Sequence, residues 1–150
     1  MRLEEAIEQK KFKSQQEKLI INIIYTYNWL KEYQTNFFKK YDLTMQQYNI
    51  LRILRGAYPE PLSQKIIKKR MLDKMSDVSR LVDRLLKKKL VTIHLNKEDK
   101  RCNNVIITEL GLSLLKEIDS ELYKFDSLFK DLTPDEINAL NALLDKIHKK

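Results

Sequence analysis

One short segment, residues 76–87, carries the side chains with the clearest chemistry in this chain. Two hydroxyl groups and three cations share one face of an expected helix, on Ser76, Ser79, Arg80, Arg84 and Lys87. A hydroxyl can hydrogen-bond to a base edge or a phosphate, and the guanidinium fork of Arg80 suits guanine. Arg84 and Lys87 lie farther along the helix, where phosphates are the better partners. The spacing therefore predicts a helix that reads the major groove of DNA.

The sequence offers no arrangement of residues for catalysis or for a bound cofactor. No nucleophile stands beside a base, and the Gly count of 2 leaves no phosphate-binding loop. His94, His148 and Cys102 are too few for a zinc site. Cys102 follows Lys100 and Arg101, which makes it a candidate redox sensor, although a lone thiol is commonly incidental. We expect a non-enzymatic protein without a metal or cofactor.

The positive charge is concentrated in the middle of the chain. Residues 62–101 contain 13 Lys or Arg against 5 Asp or Glu, whereas the other 110 residues contain 16 of each. The entire net charge of +8 therefore lies within 40 residues. A concentrated excess favours a polyanionic partner, and the alternative is a solvated basic face with no partner.

The elements that must position residues 76–87 follow from cap residues and apolar spacing. Thr44, Ser63 and Ser76 are each expected to cap the start of a helix, and residues 71–75 are expected to form a turn. The apolar residues expected in the core are Tyr48, Leu51 and Leu54 of the first helix, Ile66, Ile67 and Met71 of the second, and Val78, Leu81, Val82, Leu85 and Leu86 of the third. Two helices around a short turn, the second with a basic outer face, predict a helix-turn-helix.

A β-hairpin is predicted directly after these helices, because the apolar period changes from 3.6 to 2. Residues 91–95 form one expected strand with a buried face, and residues 103–107 form the other. The polar tip between them contains Lys97, Asp99, Lys100 and Arg101, which we assign to the DNA-binding set. In such a wing, Arg101 can enter a narrow minor groove. Asp99 can orient its guanidinium through a charge-assisted hydrogen bond.

Long apolar stripes flank this central part. Residues 14–38 predict one amphipathic helix, and Thr108 is expected to cap another whose heptad seam continues to Leu132. Residues 133–136 form a capping box that opens a last helix. The seam residues are Leu115, Ile118, Leu122, Phe125, Phe129 and Leu132, followed by Ile137, Leu140, Leu144 and Ile147. A three-helix core can absorb one stripe, but three stripes predict burial between two copies of the chain.

The first long helix also carries a group of aromatic residues with two readings. They are Tyr25, Tyr27, Trp29, Tyr33 and Phe37. Such a group can line a pocket for a small aromatic or phenolic effector, or it can be ordinary core. The sequence leaves both readings open.

The central motifs resemble those of the MarR family (multiple antibiotic resistance regulators). The resemblance rests on VSRLVDRL at residues 78–85, EDKR at 98–101 and ITELG at 107–111. It implies dimeric repressors or activators that bind pseudo-palindromic sites and often lose DNA affinity when a small ligand binds. Carried over by position, it assigns Ser76, Ser79, Arg80 and Arg84 to the recognition helix, and Asp99 and Arg101 to the wing.

Two positions depart from the family pattern. Lys89 stands where the family usually has Gly, and a left-handed residue there costs a non-glycine side chain about 1 kcal/mol. We therefore expect this helix to end differently. Ile93 and His94 replace arginines that the family often has before the wing tip, which removes an expected phosphate contact.

These observations predict a mainly α-helical protein with a small β-wing, a winged helix-turn-helix flanked by N- and C-terminal dimerisation helices. The chain is expected to be a single domain, with its DNA-binding lobe at residues 44–108 and its dimerisation helices at residues 1–40 and 109–150. The predicted function is a homodimeric transcriptional regulator of double-stranded DNA. The alternative is a winged-helix module that binds an acidic protein. The single Cys and the lack of a signal peptide or membrane span favour the cytoplasm.

Overall fold

The computed structural model describes residues 1–95, 98 and 103–148 of the chain. The helices are α1 (Leu3–Ala6), α2 (Gln15–Lys39), α3 (Met45–Ala57), α4 (Gln64–Arg70), α5 (Val78–Lys87), α6 (Glu109–Asp119), α7 (Tyr123–Asp126) and α8 (Pro134–His148). The strands are β1 (Leu62–Ser63), β2 (Val91–Leu95) and β3 (Asn103–Ile107). The predicted architecture, mainly helical with a small sheet, is confirmed. In the ranges described, no helix is both long enough and apolar enough to cross a membrane.

Most of the predicted helix caps are confirmed. Thr44 accepts a hydrogen bond from the Gln47 amide at the start of α3, and Ser63 accepts one from the Ile66 amide at the start of α4. Thr108 does the same for α6, because its hydroxyl accepts from the Gly111 amide at 3.1 Å. Each bond satisfies an amide that the first helical turn leaves without a backbone partner.

The cap expected at Ser76 is wrong, because α5 begins one residue later than predicted. Asp77 is the N-cap, and its carboxylate accepts a hydrogen bond from the Arg80 amide at 3.1 Å. Ser76 belongs to the preceding turn, where its amide donates to the Asp73 carbonyl at 3.2 Å. A carboxylate at this position also interacts favourably with the positive end of the helix dipole.

The sheet has the order β1-β3-β2 and is antiparallel throughout. In the hairpin, Val91 pairs with Ile107, and the register continues to the pair of Leu95 and Asn103. The short strand β1, which the sequence analysis did not predict, pairs Leu62 with Val105. The prediction that one face of β2 is buried is wrong for its last residue, because Leu95 is 69% exposed.

The core lies under the helix-turn-helix and the hairpin. It joins α3, α4, α5, α6 and the sheet to the C-terminal end of α2 through buried side chains, the largest fully buried ones being Phe38, Ile50, Leu51, Leu54, Ile67, Met71, Leu85, Ile107, Leu115 and Ile118. Leu81 and Leu86 are only partly buried, at the edge of this core. Because α5 contributes Val78, Val82 and Leu85 to it, the core anchors the apolar side of α5.

The prediction of one long C-terminal helix, made from the heptad seam, is wrong. The helix stops at Asp119 and is followed by α7, a 3-10 turn at Ser127–Phe129 and α8. This break lets Phe125 pack edge-on against Phe37 and Tyr33, with ring centroids 4.7 and 5.2 Å apart. The aromatic contacts to α2 therefore replace a continuous seam.

The terminal helices leave much of their apolar surface uncovered. The capping box before α8 is confirmed, since the Thr133 and Glu136 side chains each accept from the other residue's amide. Every residue of α8 is exposed, and in α2 only Phe37 and Phe38 are buried. The exposed large apolar side chains include Leu19, Ile20, Ile23, Ile24 and Tyr27 of α2, and Leu140, Leu143, Leu144 and Ile147 of α8.

Candidate nucleic-acid interface

Helix α5 presents a basic face to solvent. Its buried side, formed by Val78, Val82 and Leu85, packs in the core. Four of the five residues predicted to contact DNA from this segment are exposed, namely Ser79, Arg80, Arg84 and Lys87. The predicted separation of an apolar side from a polar side is therefore confirmed for these residues.

Ser76 does not belong to that exposed face. It is only 7% exposed, and its Oγ has no hydrogen-bond partner among the residues that the structure describes. It lines an open cleft of about 410 Å³ together with Arg80 and Arg84. The structure thus brings these three residues together in the lining of one cleft. An unpaired buried hydroxyl has hydrogen-bonding capacity for a group that enters the cleft.

The turn before α5 is held by a residue that the sequence analysis missed. Asn49 of α3 is buried, and its Oδ1 accepts a hydrogen bond from the Leu72 amide at 2.9 Å. Within the turn, the Asp73 carboxylate accepts from the Met75 amide at 2.9 Å. A polar residue between the apolar positions Tyr48 and Leu51 was the available signal. These bonds position the start of α5 relative to α3.

The C-terminal end of α5 closes in a Schellman motif. The Leu90 amide donates to the Leu85 carbonyl at 3.1 Å, and the Lys89 amide donates to the Leu86 carbonyl at 3.0 Å. Lys89 is left-handed, with φ of 60°. The expectation that this helix avoids a left-handed residue is therefore wrong. Thr108 adds a bond from its hydroxyl to the Lys89 carbonyl at 2.8 Å, which ties the helix end to the start of α6.

A second basic group lies beside α5, at the end of α4. Lys68, Lys69 and Arg70 occupy the last turn of α4 and are all exposed. The Lys74 ammonium donates to the Lys69 carbonyl at 2.5 Å, a favourable site for a cation at a helix C-terminus. These cations are part of the charge excess of residues 62–101, but none of them is among the DNA contacts predicted from the sequence.

The wing is described only as far as its strands. Strands β2 and β3 place the hairpin next to the end of α5, and His94 is exposed on β2. The predicted DNA contacts of the tip, Lys97, Asp99, Lys100 and Arg101, and the thiol of Cys102 lie outside the described residues. Their roles stay predictions.

A larger open cleft of about 1030 Å³ separates α2 from the helix-turn-helix. Six cations line it, Lys31 and Lys39 from α2, and Lys74, Arg84, Lys87 and Lys88 from around α5, against the carboxylates of Asp42 and Asp73. Of the aromatic residues considered for an effector pocket, only Tyr27 lines this cleft. Phe37 is core, while Tyr25 and Trp29 are exposed.

An ionic cluster joins the end of α2 to the segment between α6 and α7. The Glu121 carboxylate forms salt bridges with Lys124 and Lys40, both at 2.5 Å, and accepts a hydrogen bond from the Tyr41 hydroxyl. The bonds from Lys124, Lys40 and Tyr41, in that order, lower the pKa of Glu121 from 4.5 to about 2. Burial, followed by the bond to Glu121, raises the pKa of Tyr41. At the last residue of α6, the Asp119 carboxylate accepts two hydrogen bonds from the Arg55 guanidinium.

The central part of the chain matches a known family. A model described as the MarR family matches residues 41–101. The HTH-type transcriptional repressor IacR from Pseudomonas putida is 31% identical over 112 residues, which are 73% of this chain and 65% of that protein.

Solved structures extend the similarity to most of the chain. A MarR transcription factor from Planctomyces limnophilus is 30% identical, with a TM-score of 0.71 over 90% of this chain and 98% of that chain. A mutant MarR from E. coli complexed with operator DNA is 26% identical, with a TM-score of 0.75 over 85% of this chain and 92% of that chain.

Proposed function

The chain belongs to the MarR family of transcription regulators, and on that premise we propose that it binds pseudo-palindromic double-stranded DNA as a homodimer. Its family and fold are those of a regulator, and no catalytic role is assigned to any residue. In the proposed complex, each α5 enters a major groove, and the two grooves are about one helical turn apart. We further propose that it acts on DNA in the cytoplasm.

One observation carries this proposal: α5 stands on the surface with Arg80, Arg84 and Lys87 exposed and its apolar side anchored in the core. An α-helix fits the major groove of B-DNA, which is about 12 Å wide. In the proposed complex, Arg80, near the N-terminal end of α5, reads bases, and the later cations contact phosphates. The exposed cations in the last turn of α4, Lys68, Lys69 and Arg70, precede the turn and add to the positive charge of this region. The complex of a mutant E. coli MarR with operator DNA supports DNA as the partner.

The proposed homodimer rests on the uncovered apolar surface of the terminal helices. Ile24 of α2 is 54% exposed, and Leu140 and Ile147 of α8 are 48% and 55% exposed. Such a surface is unfavourable in water, and monomeric proteins rarely expose a large contiguous apolar patch. Burial against a second copy is the simplest way to cover it. The dimerisation segments predicted at residues 1–40 and 109–150 are part of this proposal, as is the DNA-binding lobe at residues 44–108.

Control by a small effector is a further part of the proposal. The cleft between α2 and α5 is large enough for such a molecule, and its excess of cations favours an aromatic or phenolic compound that carries an acidic group. Because α5 forms one wall through Arg84 and Lys87, an occupant of this cleft competes with DNA for the same cations.

Selection of binding sites from random duplex DNA with the purified protein tests the function. We expect a palindromic consensus and an affinity that falls steeply with salt, because log K decreases by about 0.9 per unit of log salt for each phosphate neutralised. Binding that survives moderate salt, or that shows no preference for duplex DNA over an acidic protein, contradicts the proposal and favours the protein-interaction module.

Two substitutions separate the roles of the groove-reading elements. Lys87→Ala is expected to weaken binding to all sequences alike, since it removes a phosphate contact. Arg101→Ala is expected to weaken binding by an amount that depends on the A·T content of the flanking sequence, because a narrow minor groove strengthens the attraction of a guanidinium. If both variants shift duplex DNA as the unmodified protein does, the proposed docking is wrong.

A further inference from the structure

Helix α2 and the recognition helix α5 end in the same backbone motif. At the end of α2, the Leu43 amide donates to the Phe38 carbonyl at 3.3 Å, and the Asp42 amide donates to the Lys39 carbonyl at 3.0 Å. Asp42 is left-handed, with φ of 53°. Phe38 and Leu43 are both buried in the core, as the hydrophobic contact of a Schellman motif requires. These hydrogen bonds and buried side chains hold the backbone of Asp42 in one conformation.

The side chain of Lys88 connects the two helix ends. Lys88 is the C-cap of α5, immediately before left-handed Lys89. Its ammonium donates a hydrogen bond to the Asp42 carbonyl and another to Gln47 Oε1 at 3.3 Å. The ammonium thus supplies a positive charge at the C-terminal end of α2, where the helix dipole is negative. We call Lys88, Asp42 and Gln47 the Lys88 bridge.

The acceptors of the bridge are rigid. Gln47 is 3% exposed, and its Oε1 also accepts from the Thr44 amide at 3.2 Å in the capping box of α3. The Asp42 carboxylate lies 3.5 Å from the ammonium, but it is 94% exposed, so this ion pair contributes little. The main acceptors of the Lys88 ammonium are the backbone carbonyl of Asp42 and the side-chain oxygen Oε1 of Gln47. Lys88 therefore joins the end of α5 to the end of α2 and the start of α3.

We infer that Lys88 is a positioning residue that fixes α5 relative to α2, and through α2 fixes the separation of the two recognition helices. This inference rests on the proposed function, because α2 belongs to the proposed dimer interface and α5 to the DNA interface. A hydrogen bond from a charged donor is stronger than a neutral one. Loss of the Lys88 ammonium therefore allows α5 to move more freely relative to α2. The consequence is a loss of selectivity for the spacing between half-sites.

The test compares duplexes that share the selected half-sites but differ by one base pair in the spacing between them. We expect the Kd of the unmodified protein to rise about tenfold when one base pair is added or removed, as for an unfavourable base change. For Lys88→Met, which retains the apolar stem and lacks the ammonium, we expect a rise of less than about threefold. Thermal unfolding verifies that this variant is folded.

Three matched variants show whether the ammonium and its acceptor are responsible. Lys88→Arg keeps a cationic donor and should restore most of the spacing selectivity. Asp42→Asn keeps the backbone carbonyl and a residue that tolerates a left-handed φ, so it should retain the selectivity. Lys87→Met removes the neighbouring charge outside the bridge and should weaken binding equally at every spacing. If Lys88→Met retains the tenfold ratio, the inference is overturned.

A distance measurement without DNA separates this inference from the proposed function. Spin labels at Asp83→Cys in a Cys102→Ser background report the separation of the two α5 helices in the dimer. We expect a narrow distance distribution for the protein with Lys88 and a broad one for Lys88→Met. Equal widths overturn the role of Lys88 even if DNA binds. Failure of the unmodified protein to bind any duplex overturns the proposed function, while the two widths still decide the role of the bridge.

Discussion

Replacement of Lys89 by glycine should stabilise the protein. Lys89 has φ of 60°, and an L-residue in the left-handed region is strained by about 1–2 kcal/mol. Glycine removes this strain but adds freedom to the unfolded chain, which offsets about 0.4–1 kcal/mol. We therefore expect the free energy of unfolding to rise by about 0.5–1 kcal/mol. The backbone bonds at this position, including the one from Thr108 to the Lys89 carbonyl, do not depend on the side chain.

Thermal and urea unfolding at one fixed protein concentration measure this change, since the stability of an associating protein depends on concentration. A gain of this size corresponds to an increase in Tm of about 1–4 °C for a chain of this length. Lys89→Ala is the matched control, because it removes the same charge but keeps the Cβ atom that causes the strain. It should remain within about 0.5 kcal/mol of the unmodified protein.

A second pair of variants, at Lys87, tests whether glycine has the opposite effect two residues earlier. Lys87 is the last residue of α5 and is helical, so Lys87→Gly should be about 0.5–1 kcal/mol less stable than Lys87→Ala. Glycine thus stabilises at one position and destabilises two residues away. Equal stabilities for Lys89→Gly and Lys89→Ala would refute the argument from the left-handed backbone.

Three other outcomes are expected. Gly111→Ala should destabilise by about 1–3 kcal/mol in urea unfolding, because the new Cβ would lie 2.5 Å from the Leu90 carbonyl oxygen and 2.6 Å from Ile107 Cγ1; a neutral result contradicts this close approach. The unmodified protein should have a higher free energy of unfolding than Glu121→Gln above pH 4.5, and this difference should be lost as the pH falls through about 2, because the pKa of Glu121 is lowered in the folded state. A constant difference in urea unfolding from pH 6 to pH 2 speaks against it. Leu140→Lys places a charge on the exposed apolar face of α8 and should shift the protein toward monomers in analytical ultracentrifugation. Ala142→Lys, on the opposite face of α8, should not. Identical sedimentation of the two variants argues against an α8 interface.

Local signals were sufficient for the caps and for most element boundaries. Thr44, Ser63 and Thr108 bond to an amide three residues later, so the information lies within one helical turn. The change of apolar period likewise located the hairpin, since side-chain direction in a strand alternates with every residue. The basic face of α5 followed from spacing alone, because a regular helix separates the two sides of such a sequence.

The same local reasoning failed where two caps competed. Ser76 and Asp77 are adjacent, and both residue types begin helices well. Asp77 is the observed cap, and Ser76 is buried and lines a cleft with Arg80 and Arg84. Which of the two is buried depends on how α5 packs on α3 and α4, and no spacing within residues 76–87 reports that packing.

The amino-acid sequence by itself determined the helix-turn-helix, the hairpin and the concentration of positive charge, because these depend on periodicity and on residues close in the chain. Only the tertiary structure decided that the C-terminal seam breaks after Asp119 and that Lys88 bonds to Asp42. Contacts such as Phe37 with Phe125 and Lys88 with Gln47 join residues more than 40 positions apart. Their energies depend on the relative placement of whole elements, which a single stretch of sequence does not encode.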